Sequence, residues 1–473
     1  MDSHKKIAKN TAWLFGGQIT GRLIRAAIII YAARVLGAAS WGAFSYALSV
    51  AAFLTIFADT GINGLLVREG NKNPHMRDQY LATAFFIKLV LVSLLGITAL
   101  ILSPFLSTLP ETKQLFPIVL LVFVFDSFRD FVLAIARSLE RMEIEGIVII
   151  LTNVAIAGLG CAALLVQRTS ISLAYAYAIG TGIGLIAAII PLRKYFKNLF
   201  ANFKLSLISH IFASAWTFGL VSIMGAVMID TDIIMLGWMV PETAVGLYAA
   251  SQKLVQLIYI TPALITTAFF PQIAKRAAES KELFRSLFEQ ALKIIFLLAF
   301  PLTIGGILAG RHIITFLYGQ AYTGGGMTFI ILAATFITVF PGTLITNALF
   351  VFSEQKKLFS YVVLGVIGNI VFNILFIKAL GIEGAALSTL CNQLAINIYA
   401  WYKLRTIVPF TIFRNLKKII ASSVGMGIIT YLLLLSHIHV ILVIIISALS
   451  YFALLLALRE TIIKKIYTII TKR

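Results

Sequence analysis

Fourteen apolar runs, each near or above 18 residues, leave this chain one class of fold. They cover 10–36, 41–66, 79–103, 115–137, 146–167, 170–192 and 209–236, then 242–270, 289–309, 326–352, 358–378, 382–402, 418–436 and 440–458. About 20 apolar residues in a helix cross the hydrocarbon of a bilayer, whereas a membrane strand needs only about 9–11. The runs therefore predict an all-α polytopic membrane protein with about fourteen transmembrane helices. Internal Gly305, Gly306, Pro341 and Gly342 fit that reading, because membrane bundles tolerate Gly and Pro. Composition agrees: 60% of residues are hydrophobic and 12% charged, against about 25% charged in soluble domains. The 473 residues are thus a membrane bundle, with no soluble domain to house an active site.

Loop charge sets the orientation. With the amino terminus inside, alternate loops carry 28 Lys and Arg and the opposite loops only Lys113, Arg168, Arg311 and Lys378. This is the positive-inside pattern; it predicts a multi-pass protein with both termini cytoplasmic. It also explains the net charge of +20 without nucleic acid as a partner. The basic start MDSHKKIAKN runs into a full-length span, so it reads as a retained segment, not a cleaved signal. Cys161 and Cys391 lie inside apolar runs, so neither a disulfide framework nor a metal site is indicated. Two loops have some length. Arg311–Met327 holds an amphipathic turn and Gly324-Gly325-Gly326, without the strand and Lys of a nucleotide site. Gln272–Gln290 reads as one amphipathic surface helix joining two halves.

The halves repeat. Asn10-Thr11-Ala12-Trp13-Leu14-Phe15-Gly16 returns as Ala213-Ser214-Ala215-Trp216-Thr217-Phe218-Gly219, and Trp41-Gly42-Ala43-Phe44-Ser45 as Val245-Gly246-Leu247-Tyr248-Ala249, at offsets of 203 and 204. The offset spans six helices, an even number, so both copies enter the membrane the same way round. Parallel repeats of this kind build rocking-bundle transporters. The expected domains are a six-helix bundle at 1–204, a second at 205–408, and two further helices with a tail at 409–473.

Charge inside the membrane is costly, at least about 2.5–3.5 kcal/mol for a central arginine, so it faces a bundle interior, a wet cavity or a partner. Arg22, Arg25 and Arg34 sit in the first run. Gln18, Arg22 and Arg25 fall at i, i+4 and i+7, one helical stripe, with Gly17 and Gly21 beside it as a GxxxG face. A basic stripe at mid-membrane suits an anionic passenger; ion-paired struts are the alternative. Lys88, Arg129, Lys253 and Lys293 are the other embedded bases. Lys293, near a membrane edge, reads as snorkelling. Gln252, Lys253, Gln256 and Tyr259 make a polar face on the eighth run. Ser45, Ser49, Asp59 and Asn63 make one stripe on the second.

Asp126, Arg129 and Asp130 lie at i, i+3 and i+4, spaced to pair within a helix. Asp230 and Asp232 fall on roughly opposite faces of the seventh run. Asp59, Asp126, Asp130, Asp230 and Asp232 are the candidate proton or cation relay. Asn369 with Asn373 and Ser388 with Asn392 form i, i+4 pairs of the kind that stitch helices. The chain has no Walker loop, HExxH, GxSxG or CxxC, so neither ATP hydrolysis nor metal or serine hydrolase chemistry is indicated.

Ala33-Arg34-Val35-Leu36-Gly37, Trp41-Gly42-Ala43-Phe44, Asp59-Thr60-Gly61-Ile62 and Arg68-Glu69 resemble the opening of the polysaccharide-transport (O-antigen flippase) family of the multidrug/oligosaccharidyl-lipid/polysaccharide (MOP) exporter superfamily. Gly246-Leu247-Tyr248-Ala249-Ala250 with Lys253, Pro262 and Pro271 is similar to that family's helix 8, with Lys where Arg is expected. The resemblance implies a V-shaped, MATE-like bundle that is not an enzyme. It implies alternating access driven by an H+ or Na+ gradient, with no cofactor, moving undecaprenyl-diphosphate-linked O-antigen, capsule or exopolysaccharide units across the cytoplasmic (inner) membrane. Polysaccharide polymerase or assembly proteins are the implied partners. Arg22 and Arg25 are the expected head-group contacts, with Gln18, Arg34, Gln252 and Lys253 beside them, and Asp59 heads the coupling candidates. A drug/cation antiporter of the same superfamily would need a more acidic cavity. A polymerase or ligase would need a long outward loop rich in carboxylates.

Overall fold

The computed structural model describes residues 2–106, 110–412 and 416–460; the basic tail after Glu460, with Lys464 and Lys465, lies outside them. Helices run in the order α1 (Asp2–Phe57), α2 (Ile62–Lys72), α3 (Arg77–Leu106), α4 (Pro110–Ser138), α5 (Met142–Val166), α6 (Ser170–Ile189), a single turn α7 (Leu199–Asn202) and α8 (Ser206–Met239). They continue with α9 (Glu242–Ile258), α10 (Ile260–Glu279), α11 (Lys281–Tyr318), α12 (Gly326–Ala334), α13 (Phe336–Val351), α14 (Gln355–Arg405), α15 (Lys417–Leu435) and α16 (Val440–Ala457). The described secondary structure is helical throughout. Most of each apolar run lies in helix, and ten helical stretches among the described residues are long and apolar enough to cross a membrane.

The helical breaks sit at residues that permit them. α1 turns at Gly37 (φ 75°) and α14 at Gly381 (φ 59°), backbone conformations that cost a glycine little. The second expected run, 41–66, is not one helix. It stops at Phe57, turns through Ala58–Gly61 with Thr60 at φ 43° and Gly61 at φ 83°, and restarts as α2. The expected stripe from Ser45 to Asn63 is therefore cut, and Asp59 stands in the break. The 242–270 run is likewise divided, into α9 and α10 at Tyr259. The expected single surface helix over Gln272–Gln290 is two helix ends, parted at Ser280, whose Oγ accepts from the Leu283 amide at 3.1 Å. A serine N-cap starts a new helix there.

Two compact units divide after Gly246, later than the 204/205 boundary read from the repeat. The difference lies in α8, which packs on α1, α2 and α3. A Cβ added at Gly219 would stand 2.4 Å from the Thr60 backbone, and one at Gly237 2.1 Å from the Tyr46 ring. These two glycines hold α8 against the first unit. In that unit α1 lies along α5 and α4, and α6 covers α4 and α5. A core of Leu65, Leu66, Leu81, Phe131, Ile135, Ile211 and neighbours closes the end formed by α2, α3 and α4.

In the second unit α11 is central, touching α10, α12, α13 and α15. The two C-terminal helices are fastened to it. Tyr451 Oη donates to the Leu297 carbonyl at 2.7 Å, and Lys293 pairs with buried Glu460. Lys293 is thus an ion-pair partner, not the free snorkelling side chain its position suggests. Asn392 Nδ2 donates to the Gly365 carbonyl at 2.9 Å and Asn373 Nδ2 to Asn369 Oδ1 at 3.2 Å. The first bond stitches the two arms of α14 across the Gly381 kink, as expected of these pairs, while the second lies within one arm.

Candidate functional site

The glycine face of α1 meets α5. A Cβ on Gly17 would lie 2.6 Å from Gly146 Cα, and one on Gly21 2.9 Å from Asn153 Nδ2. With that face used for packing, the neighbouring stripe is presented beside it. Arg25, half-buried, donates from Nε to Asn153 Oδ1 at 2.9 Å, and Asn153 is itself held by donating to the Ile149 carbonyl at 2.7 Å. Arg22 and Arg34 are exposed and Gln18 is half-buried. Neither Arg22 nor Arg34 makes a hydrogen bond or ion pair with another described residue. The stripe therefore divides: Arg25 is positioned by protein, while Arg22 keeps its donor fork open; Arg34, twelve residues further on and off the stripe, is open as well.

Behind the stripe lies a charge cluster. Arg129 Nη1 meets Asp126 Oδ1 at 2.5 Å and Nη2 meets Asp130 Oδ1 at 3.0 Å, the pairing their spacing predicts. Lys88 on α3, 1% exposed, reaches Asp59 Oδ1 at 3.7 Å. The helix break aims Asp59, whose carboxylate also accepts the Asn63 amide at 3.1 Å. Asp59 and Lys88 both act electrostatically on Asp130, and Arg25 on Asp126. Three carboxylates (Asp59, Asp126, Asp130) thus face three bases (Lys88, Arg129, Arg25). Such balance is what a low-dielectric interior requires. The structure brings these three candidate relay residues together. Asp230 and Asp232, on α8, are both buried. Lys88 counts among the embedded bases in the sequence, but its role as the partner of Asp59 depends on the break.

A second ion-pair set was hidden among residues read only as loop charge. Arg137 holds Glu145 through two hydrogen bonds, at 2.7 and 2.6 Å, with Glu145 2% exposed. Arg77 donates twice to the Gly70 carbonyl, at 3.1 and 2.8 Å, and Arg68 pairs with Glu69 at 2.9 Å. The Arg77 bonds tie α3 to α2, and the Arg137–Glu145 pair ties α4 to α5.

In the second unit Lys253 is half-buried and donates to Gln256 Oε1 at 3.4 Å, with Gln252 buried beside it. Tyr259 shares a 2.5 Å hydrogen bond with Thr335. The glycine triplet packs against α9. Ser251 Oγ donates to the Gly325 carbonyl at 3.0 Å, and a Cβ on Gly325 would lie 3.0 Å from the Leu247 carbonyl. Its glycines serve the close approach of that turn to α9. Among the described residues no group of three or more His, Cys, Asp or Glu is placed to hold a metal ion.

An all-helical bundle with membrane-length helices, a neutralised charge cluster and exposed arginines on α1 defines a polytopic membrane protein. The fold is that of the lipid II flippase MurJ in an inward closed conformation, with a TM-score of 0.79 at 16% identity over 96% of this chain and 100% of that one. The model of the polysaccharide biosynthesis protein family matches residues 7–277, more than half of the sequence, and the chain belongs to that family. Two relatives come from Haloferax volcanii. The probable flippase AglR is 24% identical over 407 residues, 82% of this chain and 81% of its own length. The probable low-salt glycan biosynthesis flippase Agl15 is 22% identical over 396 residues, 81% of this chain and 80% of its own.

Proposed function

We propose that this protein moves a lipid-diphosphate-linked oligosaccharide across the cytoplasmic membrane by alternating access, with both its termini cytoplasmic. The observation that carries the reading is the open guanidinium of Arg22 beside the Asn153-held Arg25, on a helix whose adjoining glycine face is committed to α5, with Arg34 open twelve residues further on. A guanidinium fork binds phosphate oxygens bidentately, and such charge-assisted bonds are about twice as strong as neutral ones. Arg25, held by Asn153, supplies a third positive charge in fixed orientation, and Gln18 a neutral donor for sugar hydroxyls. In the second unit Lys253 and Gln252 form the corresponding polar face, with Lys as a point charge in place of a fork.

Undecaprenyl diphosphate is the carrier expected from the family resemblance, and O-antigen, capsule or exopolysaccharide units are the glycan class. The names of AglR, Agl15 and MurJ support the flippase reading. Coupling to an H+ or Na+ gradient is assigned to the Asp59–Lys88–Asp130 cluster, in which one proton or cation exchanged would upset the charge balance. Asp126 and Asp230 are secondary candidates. Delivery to a polysaccharide polymerase follows from the reaction order, since a flipped unit is a polymerase's substrate.

The test replaces Arg22 and Arg34, singly and together, by Ala and by Lys at matched protein levels. Surface glycan should fall and lipid-linked units accumulate on the inner leaflet in the Ala variants, with Lys restoring part of the export. Full export in the double Ala variant would refute the head-group assignment.

A further inference from the structure

Between the end of α6 and the start of α8 the chain reads IPLRKYFKNLFANFKL, residues 190–205, a mixture of bases with aromatic and apolar residues. It carries Arg193, Lys194, Lys197 and Lys204, and no Asp or Glu occurs anywhere from Gly146 to Ile229. A membrane-length helical stretch, Ser170–Phe196, runs into it. The segment therefore stands where a span leaves the hydrocarbon.

One side of it is fixed by the fold. Ile190–Phe196 winds as a 3-10 helix, and Leu199–Asn202 is the single turn α7. Leu192 is buried. Phe196 meets Phe85, and Phe203 meets Phe86, with ring centroids 6.3 and 5.3 Å apart. The Lys204 amide donates to Thr83 Oγ1 at 3.1 Å. The segment is thus pinned to α3 by inward rings and by its own backbone.

The other side is bare. Arg193, Lys194, Lys197 and Lys204 are all exposed, and none forms an ion pair with a described residue. Lys194 and Lys197 stand three apart on a three-residue turn, so they share a face. Phe200 is 86% exposed and Leu205 74%. In water these two side chains would stay hydrated at a cost, and in hydrocarbon the four bases would stand without counter-charge. The headgroup layer suits both, because apolar groups bury at the acyl boundary while bases reach negative headgroups.

We propose that residues 190–205 form a docking site for anionic phospholipid, with Phe200 and Leu205 toward the acyl chains and the four bases on lipid phosphates. The site holds whichever way the chain faces and does not need the transport reading. Because the segment is already pinned to α3, little ordering is lost when lipid binds. Each base near an anionic surface favours binding by about fivefold.

The test uses the full chain with Cys161→Ser, Cys391→Ser and Asn198→Cys, labelled with an environment-sensitive fluorophore. Asn198 is exposed and its side chain makes no capping hydrogen bond. Proteoliposomes are made of phosphatidylcholine alone or of phosphatidylcholine with phosphatidylglycerol, each with the same amount of a headgroup-spin-labelled phosphatidylcholine as quencher. Quenching should rise at least about threefold with phosphatidylglycerol and fall back at about 1 M salt, where the screening length is about 3 Å. Lys194→Gln/Lys197→Gln/Lys204→Gln should lose the rise, and Phe200→Ser should weaken quenching in both mixtures. Equal quenching in the two mixtures, or a rise that survives in the triple variant, overturns the site. Unchanged quenching in Phe200→Ser overturns the seating of that ring. If the triple variant does not elute as a single species, the salt series on the parent chain decides, because it removes the attraction without a substitution; a rise that persists at high salt overturns the site.

Discussion

Replacing Lys88 by Met removes one charge from the membrane interior while keeping most of the side-chain volume. Lys88 is 1% exposed and its Nζ stands 3.7 Å from Asp59 Oδ1. At an effective dielectric constant of about 20, a pair at that distance attracts by about 4–5 kcal/mol. Breaking buried pairs from one side costs about 3–5 kcal/mol in measured cases. Asp130 adds like-charge repulsion on Asp59, and the Asn63 amide at 3.1 Å offsets part of it. A loss of about 3–5 kcal/mol is therefore expected for Lys88→Met, read from tryptophan fluorescence on heating or denaturing the purified protein in detergent. The double variant Asp59→Asn/Lys88→Met leaves no orphan charge and should regain most of the loss, a coupling that a double-mutant cycle isolates. A loss below about 1 kcal/mol in the single variant, or a double variant no better than additive, would refute the claim that this pair is a buried ion pair.

Two more outcomes follow from packing and pairing. Gly17→Leu should separate α1 from α5, because even a Cβ would come within 2.6 Å of Gly146 Cα; a loss above about 3 kcal/mol is expected, since overpacking alone costs about 1–3, and the same unfolding assay reads it. Arg137→Leu orphans Glu145 and should cost about 3–5 kcal/mol, whereas Arg137→Leu/Glu145→Leu should sit near the parent, measured by the midpoint of denaturant unfolding.

The parts of this fold legible in the sequence are those governed by short-range rules. The Asp126–Arg129–Asp130 pairing lies within one helical turn, and the Gly17–Gly21 face and the Asn369–Asn373 pair need only a 3.6-residue period. The breaks at Gly37 and Gly381 fall between apolar runs and are legible there, whereas Asp59-Thr60-Gly61 carries a turn signal inside a run that hydropathy alone reads as continuous. Missing that break hides the Asp59–Lys88 pair, since the break is what aims Asp59. The Lys293–Glu460 pair joins residues 167 apart, beyond any local pattern. At the candidate site the stripe was legible as a face. That Arg25 is held by Asn153 while Arg22 and Arg34 stay open depends on which helix α1 packs against.

The most direct test of the central claim is purified protein in proteoliposomes carrying a fluorescent lipid-diphosphate oligosaccharide, with an impermeant quencher outside. The account predicts that the parent chain moves the lipid to the opposite leaflet under an imposed ion gradient. It predicts that Arg22→Ala/Arg34→Ala slows that movement while the fold is retained. Equal rates in protein-free vesicles, or an unslowed double variant, would contradict it.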